Sequence, residues 1–419
     1  MVSQSHKLVI AHVQTRMKRS GGAEENTWAA CRHHAEQGHE VHLLAGPDSD
    51  LTAYRQLGTD VQIHLIPSLV QQLSPRQDYS AYRELKAFFQ TLRPDVVHTH
   101  TSKAGIVGRI AAWQARVPAI VHGVHILPFS NVSLSKKLVF FGAEHLTAPF
   151  TDHFIHVGQG THDTYRKALL GPSALHSVVR SGMRVEEYAA AEWPEDWREL
   201  LGVQAREEKP TTILMMAALE GRKRHAEFLR GFADKIRPDD HVRLIIAGEG
   251  PEYHRLQHLI TDLGLDQEVK LIGQRSDPEK LVAMADVGVL ASEREGLPRV
   301  VVQYLAGSRP VVVSALRGIE ELVQSDVNGI VTPRHDAALA AEAVLNLIRD
   351  RARLTELATG AHRFSVDSWS FASMFNQLDI AYDRTMRLAP VVKRKARADI
   401  QVTPIRHAQD WPIQEAVSL

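Results

Sequence analysis

Glu295 stands on a Gly296-Leu297-Pro298 turn that opens a helical pattern, and eight residues further on comes an amide, Gln303. Eight residues are a little over two helical turns, so the spacing predicts that the two polar groups share a face. Pro298 occupies the place of a first helical residue, where its missing N–H is not needed. The backbone N–H groups of Leu297, Arg299 and Val300 are then expected to face outward with the positive end of the helix dipole, as an anion site. A carboxylate beside such a site suits a ligand that carries both hydroxyls and phosphates. A sugar nucleotide is a ligand of that kind.

Other residues imitate chemistry less convincingly. His98 and His100 alternate on one face of a strand at a metal-ligand spacing, but the sequence offers no third partner, so no metal is expected. Asp48-Ser49-Asp50 imitates a metal-binding pair of carboxylates and reads as a solvated turn after an early strand. His122 and His125 follow an apolar run, where a lone histidine is usually a structural one. Gly248-Glu249-Gly250 lacks the third glycine of a dinucleotide fingerprint.

The elements that must position these groups alternate as strand and helix, twice over. Apolar runs at 7–13, 41–45, 95–98 and 119–121 predict strands, with a helix over 104–115. A polar stretch over 182–210 follows, then a second series at 212–217, 243–247, 269–272, 287–290 and 310–313. The expectation is α/β: two Rossmann-like doubly wound halves, with the site in the cleft between them. Their expected limits are residues 1–185 and 186–367. A helix over 368–390, capped by Asp367 or Ser368 and striped with Trp369, Phe371, Phe375, Leu378 and Tyr382, crosses back, and 391–419 is a polar, basic tail.

At 419 residues the chain is long enough for two or three domains. Lys plus Arg and Asp plus Glu both total 49, which argues against a general nucleic-acid binder. One cysteine, Cys31, excludes an internal disulfide framework and suits a reducing cytoplasm. No apolar run is long enough to span a bilayer, so membrane contact is expected to be peripheral at most.

Seven segments in order resemble those of the retaining glycosyltransferases of family 4, which have the GT-B fold. They are the loop Gly21-Gly22-Ala23-Glu24, the His98–Gly105 and Val121–Phe129 segments, Ser181–Tyr188, the Gly248 and Gly273-Gln274 loops, and the Glu295 motif. The resemblance covers residues 7–387 and is closest in kind to bacterial polysaccharide and lipopolysaccharide enzymes. It implies that Glu295 and His125 hold the donor sugar and that Lys223 meets the donor diphosphate. It also implies donor contacts from Gly21, Gly22, Gly248, Gly273, Gln274, Gly296, Leu297, Pro298 and Arg299. Two positions depart from the family pattern. Gln303 replaces a second glutamate, which in the family grips the ribose, and an amide both accepts and donates there. Ala218 replaces a phosphate-binding arginine, for which Arg222 or Arg224 is the expected substitute.

The implied activity is retaining transfer of a sugar from a nucleotide donor, a UDP-sugar first, without metal or other cofactor. The acceptor hydroxyl attacks on the face the diphosphate leaves. Basic and apolar residues mix in 131–146 (Lys136, Lys137, then Leu138 to Phe141) and in Arg16-Met17-Lys18-Arg19. Such surfaces suit an anionic membrane, with a lipid-linked or polysaccharide precursor as acceptor. The run Leu138–Phe141 fits a core segment with a solvated basic flank equally well. A cytosolic small-molecule acceptor, and a sugar-nucleotide-binding protein with weak or no catalysis, are the other open readings.

Overall fold

The computed structural model describes residues 7–18, 22–127, 134–172, 174–204 and 207–388. The first half is built on strands β1 (Val9–Gln14), β2 (Glu40–Ala45), β3 (Gln62–Leu65), β4 (Val96–His100), β5 (Ala119–Val124), β6 (His153–His156) and β7 (Leu175–Val178). They form one parallel sheet in the order β3-β2-β1-β4-β5-β6-β7. The second half uses β8 (Thr211–Met216), β9 (Val242–Ala247), β10 (Val269–Gly273), β11 (Val287–Leu290), β12 (Val311–Ser314) and β13 (Gly329–Thr332). Their order is β10-β9-β8-β11-β12-β13, again all parallel.

Parallel strands joined by helices are covered on both faces, so their side chains are apolar on both. Ile213, Leu214 and Met215 in β8 and Val311, Val312 and Val313 in β12 are buried accordingly. In each sheet the winding reverses beside the first strand, between β1 and β4 and between β8 and β11. Such a switch point leaves a crevice beyond the carboxyl ends of the strands.

Strands β3, β6, β7 and β13 go beyond those the apolar runs predict. β6 is His153-Phe154-Ile155-His156, entirely buried. His153 Nδ1 meets the Thr385 hydroxyl at 2.7 Å and its Nε2 meets that of Ser177 at 2.8 Å. Partners distant in sequence thus satisfy polar strand residues that have no apolar signature.

A short 3-10 turn, Asp367–Trp369, precedes the last helix, Phe371–Leu388. The turn delays the helix, so Ser370, not Asp367 or Ser368, caps it: its hydroxyl accepts from the Ser373 N–H at 3.1 Å. The helix returns to the first half, where Met374, Leu378 and Tyr382 pack with Ile10, Val96 and Ile155. His33 and His34 lie 3.0 and 3.3 Å from Asp379. Where the chain crosses between halves its two passes touch, since the Met183 N–H donates to the Trp369 carbonyl at 2.8 Å. The expected tail over 391–419 lies outside the described residues, as does Gly21.

Candidate active site in the cleft between the halves

Lys223 ends a 3-10 turn, Gly221–Lys223, in the connection leaving β8, and Glu295 lies in the loop leaving β11. The two loops are stitched together by the Glu293 N–H donating to the Arg222 carbonyl at 2.9 Å. Lys223 Nζ then donates to Glu295 Oε1 at 2.5 Å, and the pair is nearly buried. Arg222 divides itself between Glu220, at 2.7 Å, and the same Glu295 oxygen, at 3.4 Å. Two cations and two carboxylates therefore share one pocket.

His125 follows β5 on the opposite wall, half-buried. Burial pulls its pKa down to about 4, so it is neutral near pH 7. Its Nε2 lies 3.1 Å from His100 Nδ1, and His100 Nε2 lies 3.0 Å from His12 Nδ1. The walls touch at Gly296: a Cβ added there would sit 1.9 Å from the His125 carbonyl oxygen. Only glycine allows that approach. Beside it Ile126, Leu127 and Thr161 face Arg294, Leu316 and Arg317 across a recess that Glu295 also lines.

Gly22 opens the helix Gly22–Glu36, and the Arg299 side chain lies against it, where a Cβ would meet the guanidinium at 2.7 Å. Arg299 also reaches Glu25 in that helix at 2.6 Å, an ion pair from one half to the other. Glu25 carried no motif signal. Farther along the cleft, Glu321 Oε1 accepts from the Gln159 N–H at 2.6 Å, and Arg180 donates to its other oxygen at 2.7 Å. Gly248 (φ +154°) and Gly273 (φ +71°) adopt backbone that favours glycine, and the Gly248 N–H donates to the Gly273 carbonyl at 2.8 Å. Gln274 follows directly. Gln303 is half-buried in the helix Arg299–Ala306.

Several expectations change, while those for His122 and Asp48-Ser49-Asp50 hold. The helix begins at Arg299, with Pro298 as its N-cap. Glu295 therefore lies outside it, and helical spacing does not relate Glu295 to Gln303. The Arg299 N–H turns back to the Leu297 carbonyl at 2.9 Å and does not face outward. Arg224, with a left-handed backbone (φ +58°), pairs with Glu227 and leaves Arg222 as the arginine beside Glu295. His122 is a structural histidine, fully buried with Nδ1 2.9 Å from the Thr99 hydroxyl. Asp50 caps a helix through the Ala53 N–H and Asp48 pairs with Lys18, so the carboxylate look-alike is a turn.

The basic stretch from Arg16 is not a free surface. Met17 is core, and Arg16 pairs with Glu24 at 3.5 Å. In the helix Leu134–Thr147, by contrast, Leu138, Val139 and Leu146 are exposed, while Phe140 and Phe141 pack inward. The premise that His98 and His100 lack a third partner also fails. The fold brings His12 to them.

Residues 20–186 match the model of Glycosyltransferase Family 4, and residues 198–363 that of Glycosyl transferases group 1. A UDP-Gal:alpha-D-GlcNAc-diphosphoundecaprenol alpha-1,3-galactosyltransferase of Escherichia coli is 27% identical over 84% of this chain and 90% of its own. The putative glycosyltransferase EpsD of Bacillus subtilis is 27% identical over 74% of this chain and 81% of its own. The crystal structure of Anabaena HepE in complex with UDP superposes with a TM-score of 0.73, at 23% identity, over 90% of this chain and all of that one. WaaG, a glycosyltransferase involved in lipopolysaccharide biosynthesis, superposes at 0.68, with 15% identity, over 89% of this chain and 98% of that one. With one family model on each half and this architecture throughout, the chain belongs to the family 4 glycosyltransferases and has the GT-B fold.

Proposed function

We propose that the protein is a retaining glycosyltransferase that moves a sugar from a UDP-sugar to a lipid-diphosphate-linked saccharide. The observation that carries the reading is the Lys223–Glu295–Arg222 group on a loop whose Gly296 meets the His125 carbonyl across the cleft. The E. coli relative, which acts on a diphosphoundecaprenol-linked sugar, supports the choice of acceptor.

The donor diphosphate approaches Lys223 and Arg222, which turn from Glu295 toward the phosphate oxygens. Charge that grows on the leaving diphosphate meets these fixed cations, so the step needs no metal at the phosphates. Arg222 takes the part of the arginine absent at Ala218. Glu295, released from its partners, accepts from hydroxyls of the donor sugar. Neutral His125 completes the grip on that sugar from the other half, so the site is whole only when the halves are closed. Gly22, Gly248, Gly273, Gln274, Gly296, Leu297, Pro298, Arg299 and Gln303 line the donor's path, Gln303 toward the ribose. The acceptor hydroxyl attacks from the side the diphosphate leaves, and a departing phosphate oxygen takes its proton. The recess between Ile126 and Arg294 has apolar walls with three arginines (Arg294, Arg317 and Arg334) against two glutamates (Glu293 and Glu295), a balance that suits an anionic lipid-linked acceptor.

The place of work is the cytoplasmic membrane face. No helix among the described residues is long and apolar enough to cross a membrane. The exposed Leu138, Val139 and Leu146, on the same helix as exposed Lys137, suit peripheral contact. The test is nucleotide release from UDP-, GDP- and dTDP-sugars with a polyprenyl-diphosphate-linked sugar, and NMR of the product anomer. Release of UDP with retention, unchanged by added Mg²⁺ or Mn²⁺, is the expected result. An inverted anomer, or no transfer to the lipid-linked sugar, would sink this reading.

A further inference from the structure

His12 on β1 and His98 and His100 on β4 are buried side by side, and one ring nitrogen from each lies within 4.8 Å of the others. We propose that these three residues form a site for one first-row transition-metal ion, with Zn²⁺ the expected occupant, beneath His125. The site is separate from the diphosphate cations, and its metal binding does not rest on the transfer reaction proposed above.

Geometry supports it first. Zinc–nitrogen bonds of about 2.0–2.1 Å at a tetrahedral angle place ligand nitrogens about 3.3 Å apart. His12 Nδ1 and His100 Nε2 are already 3.0 Å apart, so an ion between them requires only a small opening. His98 must close the remaining gap, and its Nε2 is the ring nitrogen without a partner. The outer nitrogens of two ligands are already held. His98 Nδ1 meets the Tyr382 hydroxyl at 2.7 Å, and His100 Nδ1 meets His125 Nε2 at 3.1 Å. Outer partners of this kind fix the tautomer and orientation of metal-binding histidines.

Polar satisfaction supports it second. His12 Nε2 and His98 Nε2 are both buried with no hydrogen-bond partner. An ion held as above would recover the free energy lost at His98 Nε2, whose lone pair is otherwise buried without a partner. The donor chemistry selects the ion. Three neutral imidazoles suit Zn²⁺, Co²⁺, Ni²⁺ or Cu²⁺ and not Mg²⁺ or Ca²⁺, which seek oxygen. A fourth position remains for a water, which can lose a proton to solvent and lower the buried charge. With His100 bound through Nε2, its Nδ1 carries the proton and donates to His125. His125, accepting at Nε2, then carries its own proton on Nδ1, in one tautomer.

The full chain, purified without chelator, is analysed for metals, stripped, and titrated with Zn²⁺ against a competing indicator, with Mg²⁺ as control. About one zinc per chain is expected, with a rise in Tm on loading and visible absorption bands when Co²⁺ replaces it. His98→Leu and His12→Leu should each weaken Zn²⁺ binding by about 100-fold or more, with unchanged far-UV circular dichroism. Tyr382→Phe, which keeps the packing and removes only the outer hydroxyl, should weaken it by about 10-fold. Failure to bind stoichiometric Zn²⁺, as when a buried water alone fills the space, would overturn the proposal. So would unchanged affinity in both leucine variants. Loss of binding in Asp379→Ala instead would assign the metal to the second cluster, His33, His34 and Asp379, and also overturn it.

Discussion

Gly296→Ala tests whether contact between the two walls of the cleft is needed for turnover. The new Cβ would lie 1.9 Å from the His125 carbonyl oxygen and 3.1 Å from its carbon, where ordinary contact begins at 3.4 Å. The walls must therefore part by roughly 1.5 Å, and a misplacement of about 1 Å can already cost 10²-fold in rate. We expect kcat/KM to fall about 100-fold, equivalent to about 2.7 kcal/mol. Overpacking a core costs about 1–3 kcal/mol, but this contact lies between halves that can open, so Tm should fall by only a few degrees. Gly221→Ala is the control: it lies two residues from Lys223, and nothing is within 4 Å of its added Cβ. The assay is nucleotide release under saturating acceptor, with thermal melts of both variants. Wild-type turnover in Gly296→Ala would refute closure at this contact. Equal losses in both variants would show only that these loops tolerate no change.

Lys223→Ala should lower turnover by roughly 100-fold or more, because a fixed cation no longer meets the leaving diphosphate. Its Tm should change little, since Arg222 remains 3.4 Å from Glu295. Glu295→Gln should lower kcat by roughly 10-fold to 1000-fold and leave nucleotide diphosphate binding intact, with no glycosyl adduct in mass spectra. Gln303→Glu should keep or tighten donor affinity in a binding titration, because a carboxylate accepts from two hydroxyls at once. Burial lowers the pKa of both His153 and His225 to about 4, so the unfolded chain takes up protons first as pH falls below about 6.5. Stability should therefore fall between pH 6.5 and pH 4, seen as a Tm that drops across that range. A Tm that rises or stays level there would contradict the burial of neutral histidines.

The alternation of strands and helices was legible because strands buried on both faces are continuous apolar runs, as in β8 and β12. β6 and β7 were not, since His153 and Ser177 find their partners in each other and in Thr385, on other elements. In the site, glycine, proline and charge at fixed offsets disclosed Glu295, while the resemblance supplied Lys223 and His125. Spacing failed where it assumed a helix that starts at Arg299 and not before. Glu25 and His12 were invisible. Each matters through a partner on another element, Arg299 and His100, and no local pattern records such a pairing.

The touching of the two chain crossings, Met183 against Trp369, has a kinematic consequence. One connection between two bodies would act as a swivel, leaving tilt and twist both free. Two connections bonded to each other act as a pinned hinge, and the remaining motion is rotation about the line through the pins. Any opening of the cleft would then follow one arc, and closing would bring Gly296 to His125, Arg299 to Glu25 and Glu321 to Gln159 together. A chain cut before residue 371 would lose the second connection, together with the helix that packs on Ile10, Val96 and Ile155. Its closure would become a diffusive encounter between faces that the intact molecule never has to align.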